Sequence, residues 1–238
     1  MKSTSIFPSI EALLAKREIS GPPIAFFSPN ILELIHVYNS IQVEPYNFLS
    51  SPYWWSCIDG MGLDSAFRMD LEQLARRNIT DLDVGKGTMS FIIDQGIAQM
   101  AIHLLPFFQH IIIKCGERGA ICVMRISAKD ATTSPWGRER SNPQARYIVA
   151  QGNNKEIIVL QHFPGLVVDS VTSVTGAGDS FVGTVLASLS QDLKVFHNPS
   201  DLEQMITSAQ QAAILTLQSN LAVSPLLSDV LKLQSSAI

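Results

Sequence analysis

Ser173-Val174-Thr175-Gly176-Ala177-Gly178-Asp179 is the stretch in which residue type and spacing most directly suggest chemistry. Gly176, Ala177 and Gly178 carry little or no side chain, so a ligand can come close to the backbone. Phe181, Val185, Leu186 and Leu189 follow at helical spacing. The turn therefore feeds a helix whose first N–H groups lack partners and sit at the positive end of the macrodipole, an arrangement that cradles an anion. Asp179 is out of place for simple phosphate binding, because a carboxylate repels phosphate. It has a use if it takes a proton from a hydroxyl attacking that phosphate. The plainer reading is an acidic residue in an ordinary first turn, stabilising by a few tenths to about 1 kcal/mol. Local physics leaves the two even.

Other candidates carry less. Asn30 and Glu33, three residues apart before an apolar-periodic run, have the pattern of a capping box. Lys114 ends a β-branched run and can equally be a lysine snorkelling to solvent. Gly85-Lys86-Gly87-Thr88 resembles part of a Walker loop but lacks the upstream glycine, so a surface turn is expected. The five histidines are scattered without metal-ligand spacing. Cys57, Cys115 and Cys122 form neither a CxxC pair nor a disulfide framework, which points to a reducing compartment. Trp54 and Trp55 have no interleaved basic residues and are expected to cover a loop or core edge rather than stack bases. Asn78-Ile79-Thr80 fits a glycosylation sequon, but reads as a helix end.

The elements that must position these residues alternate in type. Ile24–Phe27 is a short apolar strand closed by Ser28-Pro29-Asn30, after which Ile31, Leu34, Ile35 and Tyr38 mark a helix. From Asn39 to Gly62 periodicity is weak. Leu63 to Asn78 reads as an amphipathic helix with Asp64 as cap, and Ser90 to Leu105 as a second helix ending before Pro106. Ile111–Cys115 and Ala120–Ile126 are expected to form a buried hairpin around Gly116-Glu117-Arg118-Gly119. Ser127 to Asn154 suits a long, mobile surface excursion with a strand at Arg146 to Ala150. Glu156–Phe163 resumes strand character, and Leu202–Leu217 is a last long helix. The alternation predicts a layered α/β fold with a mostly parallel central sheet in a single domain spanning residues 1–238.

Composition sets the outer bounds. The chain has 238 residues, 46% of them hydrophobic and 16% charged, which excludes wholesale disorder. A net charge of -4 offers no basic field for a phosphate backbone, so no nucleic-acid partner is expected. Residues 1–10 lack an apolar signal core and no apolar run reaches the roughly 18 residues of a membrane span, so no membrane partner is expected and the cytoplasm is the default location.

The Gly176 segment resembles the C-terminal signature of the PfkB/ribokinase family of carbohydrate and nucleoside kinases, Asp-Thr-x-Gly-Ala-Gly-Asp. Gly176, Ala177, Gly178 and Asp179 match it; Ser173 and Val174 replace its first two residues. Asn30-Ile31-Leu32-Glu33 is similar to the family's Asn-x-x-Glu element, Lys114 to Gly119 to the strand-turn leading to the nucleotide pocket, and Ala212 to Val223 to the last helix and turn beside adenine. His162-Phe163-Pro164, Ser28-Pro29-Asn30 and the Val171 to Asp179 text are most similar to the pseudouridine kinase branch. The resemblance implies a three-layer α/β/α ribokinase-like fold. It implies ATP-dependent phosphorylation of a sugar or nucleoside hydroxyl, pseudouridine to its 5′-phosphate being the preferred case. Asp179 would be the general base and Gly176, Ala177 and Gly178 the anion hole. Asn30, Lys114, Gly116, Gly119, Thr175 and Asn220 would bind nucleotide, and Glu33 would hold Mg2+ through water, with a monovalent cation as an optional further ion. The implied partners are a small sugar or nucleoside, a pseudouridine-5′-phosphate glycosidase by fusion or association, and a second copy in a homodimer. One departure stands out: the Asn-x-x-Glu element arrives already at Asn30. The resemblance thus spans about the C-terminal two thirds of a family domain, without its N-terminal strands, lid and most sugar-side residues. The alternative expectation is a catalytically incomplete, nucleotide-binding remnant or fragment.

Overall fold

The computed structural model describes residues 21–227. Residues 1–10, expected from sequence to lack a signal core, lie outside the described residues. Contacts between backbone segments group the described residues into two units, one made of residues 21–115 and 120–162, the other of residues 116–119 and 163–227.

The first unit holds the sheet. Its strands are β1 (Ile24–Phe27), β2 (Phe108–Lys114), β3 (Ala120–Ile126), β4 (Tyr147–Gln151) and β5 (Ile157–Phe163), in the order β1-β2-β3-β5-β4. β1 runs parallel to β2, pairing Ile24 with Phe108 and Phe26 with His110. β2 and β3 are antiparallel, with Ile112 opposite Cys122, and so are β4 and β5, with Val149 opposite Val159. The α/β class stands, and the sheet is mixed rather than mostly parallel. The expected Ile111–Ile126 hairpin is present, and a second hairpin, β4–β5, closes through the tight Gly152–Lys155 turn, whose Lys155 N–H donates to the Gly152 carbonyl at 3.0 Å. Short connections of this kind can only join antiparallel neighbours.

Both faces of the central strands are buried. Ile111, Ile113, Ile121, Val123, Ile158 and Leu160 join one apolar cluster, while Ile112, Cys122, Met124 and Val159, of opposite parity, are also fully buried. This explains why the strands read as continuous apolar runs instead of alternating ones. Helices α1 (Ile31–Ser40), α2 (Pro52–Gly60), α3 (Ser65–Ala75) and α4 (Ile97–Leu104) contribute to that cluster through Leu34, Val37, Trp54, Phe67, Leu74 and Ala101. Ser51 caps α2 by accepting from the Trp54 N–H at 3.2 Å, and Asp64 caps α3 by accepting from the Phe67 N–H at 3.0 Å. The α2 helix falls where periodicity is weak, started by Ser51 and Pro52 at its first position. The single helix expected from Ser90 to Leu105 is two, because Gly96 takes a left-handed conformation at φ 67° between Phe91–Asp94 and α4.

Within this core Tyr38 and His103 share a hydrogen bond of 2.8 Å, and Trp54 Nε1 donates to the His103 carbonyl at 2.8 Å. Burial lowers the His103 pKa below its ordinary 6.5 and raises that of Tyr38. A buried ion pair, Arg125 Nε to Glu156 Oε2 at 2.5 Å, links β3 to the β4–β5 turn. The segment from Ser127 to Asn154 is pinned by Trp136, which is fully buried against Tyr147 at 5.4 Å between ring centres. Trp54 lies in the core while Trp55 is exposed, and Val84–Lys86 with Gly87 forms the expected surface turn.

The second unit is built on helices α5 (Ala177–Gln191) and α6 (Pro199–Leu217), which pack against each other. Phe181 and Val185 of α5 and Leu202, Met205, Ala209 and Ala212 of α6 are buried, at the three- and four-residue steps that define one helix face. No helix among the described residues is long and apolar enough to cross a membrane.

Candidate active site

Gly176 sits immediately before α5 with φ 81° and ψ −8°. Two constraints require glycine there. The left-handed conformation is costly for any residue with a Cβ, and a Cβ would overlap the carbonyl oxygen of Ala222. The backbone around Ala222 thus packs directly on the turn. No side chain caps α5, whereas Asn30, Ser51, Asp64 and Asn198 cap α1, α2, α3 and α6. The first helical hydrogen bond is Ser180 N–H to the Gly176 carbonyl at 2.9 Å. The N–H groups of Ala177, Gly178 and Asp179 precede it, and an anion at this start would meet unpaired donors and the favourable end of the dipole.

Asp179 lies in that first turn, and its side chain has no hydrogen bond or ion pair among the described residues. Thr175 is exposed; its N–H donates to Ser173 Oγ at 3.2 Å, shaping the approach to Gly176. Asn220 is exposed two residues before Ala222. The second unit therefore brings together Gly176, Ala177, Gly178, Asp179 and Thr175 with the loop that carries Asn220. Sequence reasoning missed Ala222 because it acts through its backbone carbonyl, which no residue type advertises.

Gly116 and Gly119 bound a single tight turn, with the Gly119 N–H donating to the Gly116 carbonyl at 3.0 Å. A Cβ on Gly119 would overlap the Phe163 carbonyl, and one on Gly165 would overlap the Glu117 carbonyl. These two glycines allow backbone to lie on backbone, a structural reason for the spacing.

Asn30, Glu33 and Lys114 come together in the first unit, at the carboxyl ends of the parallel pair β1–β2. Asn30 forms a parallel bridge with Lys114, whose N–H donates to the Pro29 carbonyl at 2.9 Å. Ligands of open α/β sheets gather at this end of parallel strands. Asn30 and Glu33 are also a complete capping box: Asn30 Oδ1 accepts from the Glu33 N–H at 2.9 Å, and Glu33 Oε2 from the Asn30 N–H at 2.8 Å. The cap uses one oxygen of each side chain. Glu33 Oε1 has no protein partner among the described residues, and both residues are exposed.

No group of three or more His, Cys, Asp or Glu residues that could hold a metal occurs among the described residues. A protein cage for an ion is therefore not built among them. Mg2+ that arrives with nucleotide phosphates keeps most of its waters and needs only one or two carboxylates. The donor set fits that mode, with Glu33 as the available carboxylate.

Residues 146–229 match the family model described as pfkB family carbohydrate kinase. The matched segment contains the Gly176 turn, Asp179 and Asn220. A pseudouridine-metabolizing bifunctional protein of Schizosaccharomyces pombe is 27% identical over 215 residues, covering 90% of this chain and 24% of its own length. The chain thus spans about a quarter of that curated relative. Among solved structures, a fructokinase of Vibrio cholerae, determined with fructose, ADP and potassium ion bound, is 19% identical with a TM-score of 0.33, covering 62% of this chain and 33% of that one. A ribokinase of Giardia lamblia is 13% identical with a TM-score of 0.35, covering 98% and 64%.

Proposed function

We propose that this chain carries out ATP-dependent phosphorylation of a sugar or nucleoside hydroxyl, with pseudouridine to pseudouridine 5′-phosphate as the preferred reaction. The observation that carries this reading is the uncapped, glycine-fixed start of α5 with a carboxylate in its first turn that has no partner among the described residues. Because the N-cap is Gly176 itself, the demand for glycine there also removes any capping side chain, and the first-turn N–H groups are left for a partner from outside the helix. The family match over residues 146–229 supports phosphoryl transfer, and the description of the S. pombe relative supports pseudouridine as acceptor. That relative is bifunctional, which supports association with a second activity on the same compound, expected to be the glycosidase.

Asp179 accepts the proton of the attacking hydroxyl as that oxygen turns toward the transferred phosphoryl group. The Ala177, Gly178 and Asp179 N–H groups hold the charge that develops there. Fixed donors of this kind need no reorganisation during the reaction and are worth several kcal/mol. Thr175 and Asn220 flank the turn on the nucleotide side. Asn30 and Lys114 would bind nucleotide, as would Gly116 and Gly119, and Glu33 would hold Mg2+ through water, an ion that neutralises nucleotide phosphate charge when bound.

Asp179→Asn keeps size and geometry and removes the base. Turnover is expected to fall by about 10²–10⁴-fold, while ATP affinity measured by calorimetry stays within a few-fold of the parent. Equal turnover by variant and parent would overturn the assignment.

A further inference from the structure

Beneath the Gly176 turn lies a buried hydroxyl that the reaction does not touch. Thr216, in the last turn of α6, is fully buried. Its Oγ1 lies 2.7 Å from Ser180 Oγ, the residue directly after Asp179, and accepts from the Ser224 N–H at 3.4 Å. Ser180 and Ser224 are both buried as well. The neighbouring Leu217 carbonyl accepts from the Thr172 and Ser173 N–H groups at 2.7 and 3.1 Å. One turn of α6 therefore holds the segment entering the Gly176 turn, the helix leaving it, and the 219–224 loop whose Ala222 carbonyl packs on Gly176.

We infer that Thr216 is a positioning residue for the Gly176–Asp179 turn, fixing the first turn of α5 against the 219–224 loop through its hydroxyl. Its effect on turnover rests on the kinase reading above; its hold on the turn does not. A threonine used only for packing has no need of a hydroxyl in so dry a place, where an unpaired polar group is costly and valine has nearly the same shape. Here the hydroxyl meets two buried polar groups from two different segments. The hydrogen bonds also run to the residue next to Asp179, so their loss would be felt first where that carboxylate is aimed. A catalytic group must be held within about half an ångström of its working position by its supporting residues.

The test uses the full chain, as parent, Thr216→Val, Thr216→Ser, Ser180→Ala and the Thr216→Val/Ser180→Ala double variant. Hydrogen–deuterium exchange is followed in peptides covering residues 172–181 and 219–226, with residues 202–206 of α6 as the internal reference. Thr216→Val is expected to speed exchange of the Ser180 and Ser224 amides by about tenfold or more, leaving the reference unchanged, and Thr216→Ser to behave as the parent. With ATP and pseudouridine, kcat of Thr216→Val is expected to fall by about tenfold with KM for ATP within twofold. The double variant should lose no more than Thr216→Val alone. Unchanged exchange at the turn, equal acceleration in the reference peptide, or failure of serine to rescue would overturn the inference. So would an unaltered kcat in an active parent. If the exchange pattern is as expected but the parent transfers no phosphate to any acceptor, the hold by Thr216 is upheld and the kinase reading alone fails. Should Thr216→Val not fold, Ser180→Ala removes the same bond from the other side and is read by the same criteria.

Discussion

Gly176 and Gly183 lie seven residues apart and make opposite demands. An alanine at 176 must adopt φ 81° and displace the Ala222 backbone, so Gly176→Ala should destabilise the protein by more than ~1 kcal/mol in urea unfolding. Gly183 lies within α5 with open space where a Cβ would stand, and Gly183→Ala should instead stabilise by about 0.5–1 kcal/mol. Equal effects would show that the turn tolerates a side chain. Glu33 poses a sharper question, because one carboxylate is both a helix cap and the candidate contact to Mg2+ waters. Glu33→Gln preserves an oxygen for the Asn30 N–H and removes the charge. It should leave the melting temperature nearly unchanged and raise the Mg2+ concentration needed for half-maximal turnover. An unaltered Mg2+ requirement would leave Glu33 as a cap alone. The capping box is legible from Asn30 and Glu33 in the sequence, as is the glycine turn. The Ala222 contact is not, since it is made by a carbonyl that every residue possesses.

At the level of elements, strands and helices with strong apolar periodicity are readable almost to the residue: β1, β3 and the starts of α1 and α3 fall where residue patterning puts them. Elements defined by a local conformational event are not. The α2 helix begins from a Ser51-Pro52 start inside an aperiodic stretch, and the Ser90–Leu105 run breaks at Gly96 although its apolar spacing continues across the break. Trp136 turns a polar excursion into an anchored one. The contact between α1 and α4 carries a testable proton linkage. His103 is kept neutral by burial and bonded to Tyr38, and its folded pKa is lowered below 6.5. The unfolded chain then binds a proton at a higher pH than the folded one does. By linkage, this contribution is fully present above about pH 6.5 and is lost as pH falls toward the lowered folded value. The melting temperature should therefore drop between about pH 7 and pH 5, and His103→Gln should flatten that drop. An identical pH profile in the variant would assign the titration to other groups.

For the molecule as a whole, α/β class follows from the alternation of elements, whereas the mixed sheet does not, because apolar runs buried on both faces look alike in parallel and antiparallel neighbours. Topology comes from the connections, and here the short ones around residues 116–119 and 152–155 impose antiparallel pairs. The chain spans about a quarter of its curated relative, so its activity must be measured on this polypeptide directly. At the centre of the proposed function, the carboxylate beside an uncapped glycine turn deprotonates an alcohol next to ATP. The most direct test incubates the purified chain with ATP, Mg2+ and a panel of nucleosides and sugars that includes pseudouridine, and follows ADP release and the phosphorylated product by mass spectrometry. ADP release should depend on acceptor and be greatest with pseudouridine, with phosphate on its 5′-oxygen. ATP binding without phosphorylation of any acceptor in the panel would contradict it.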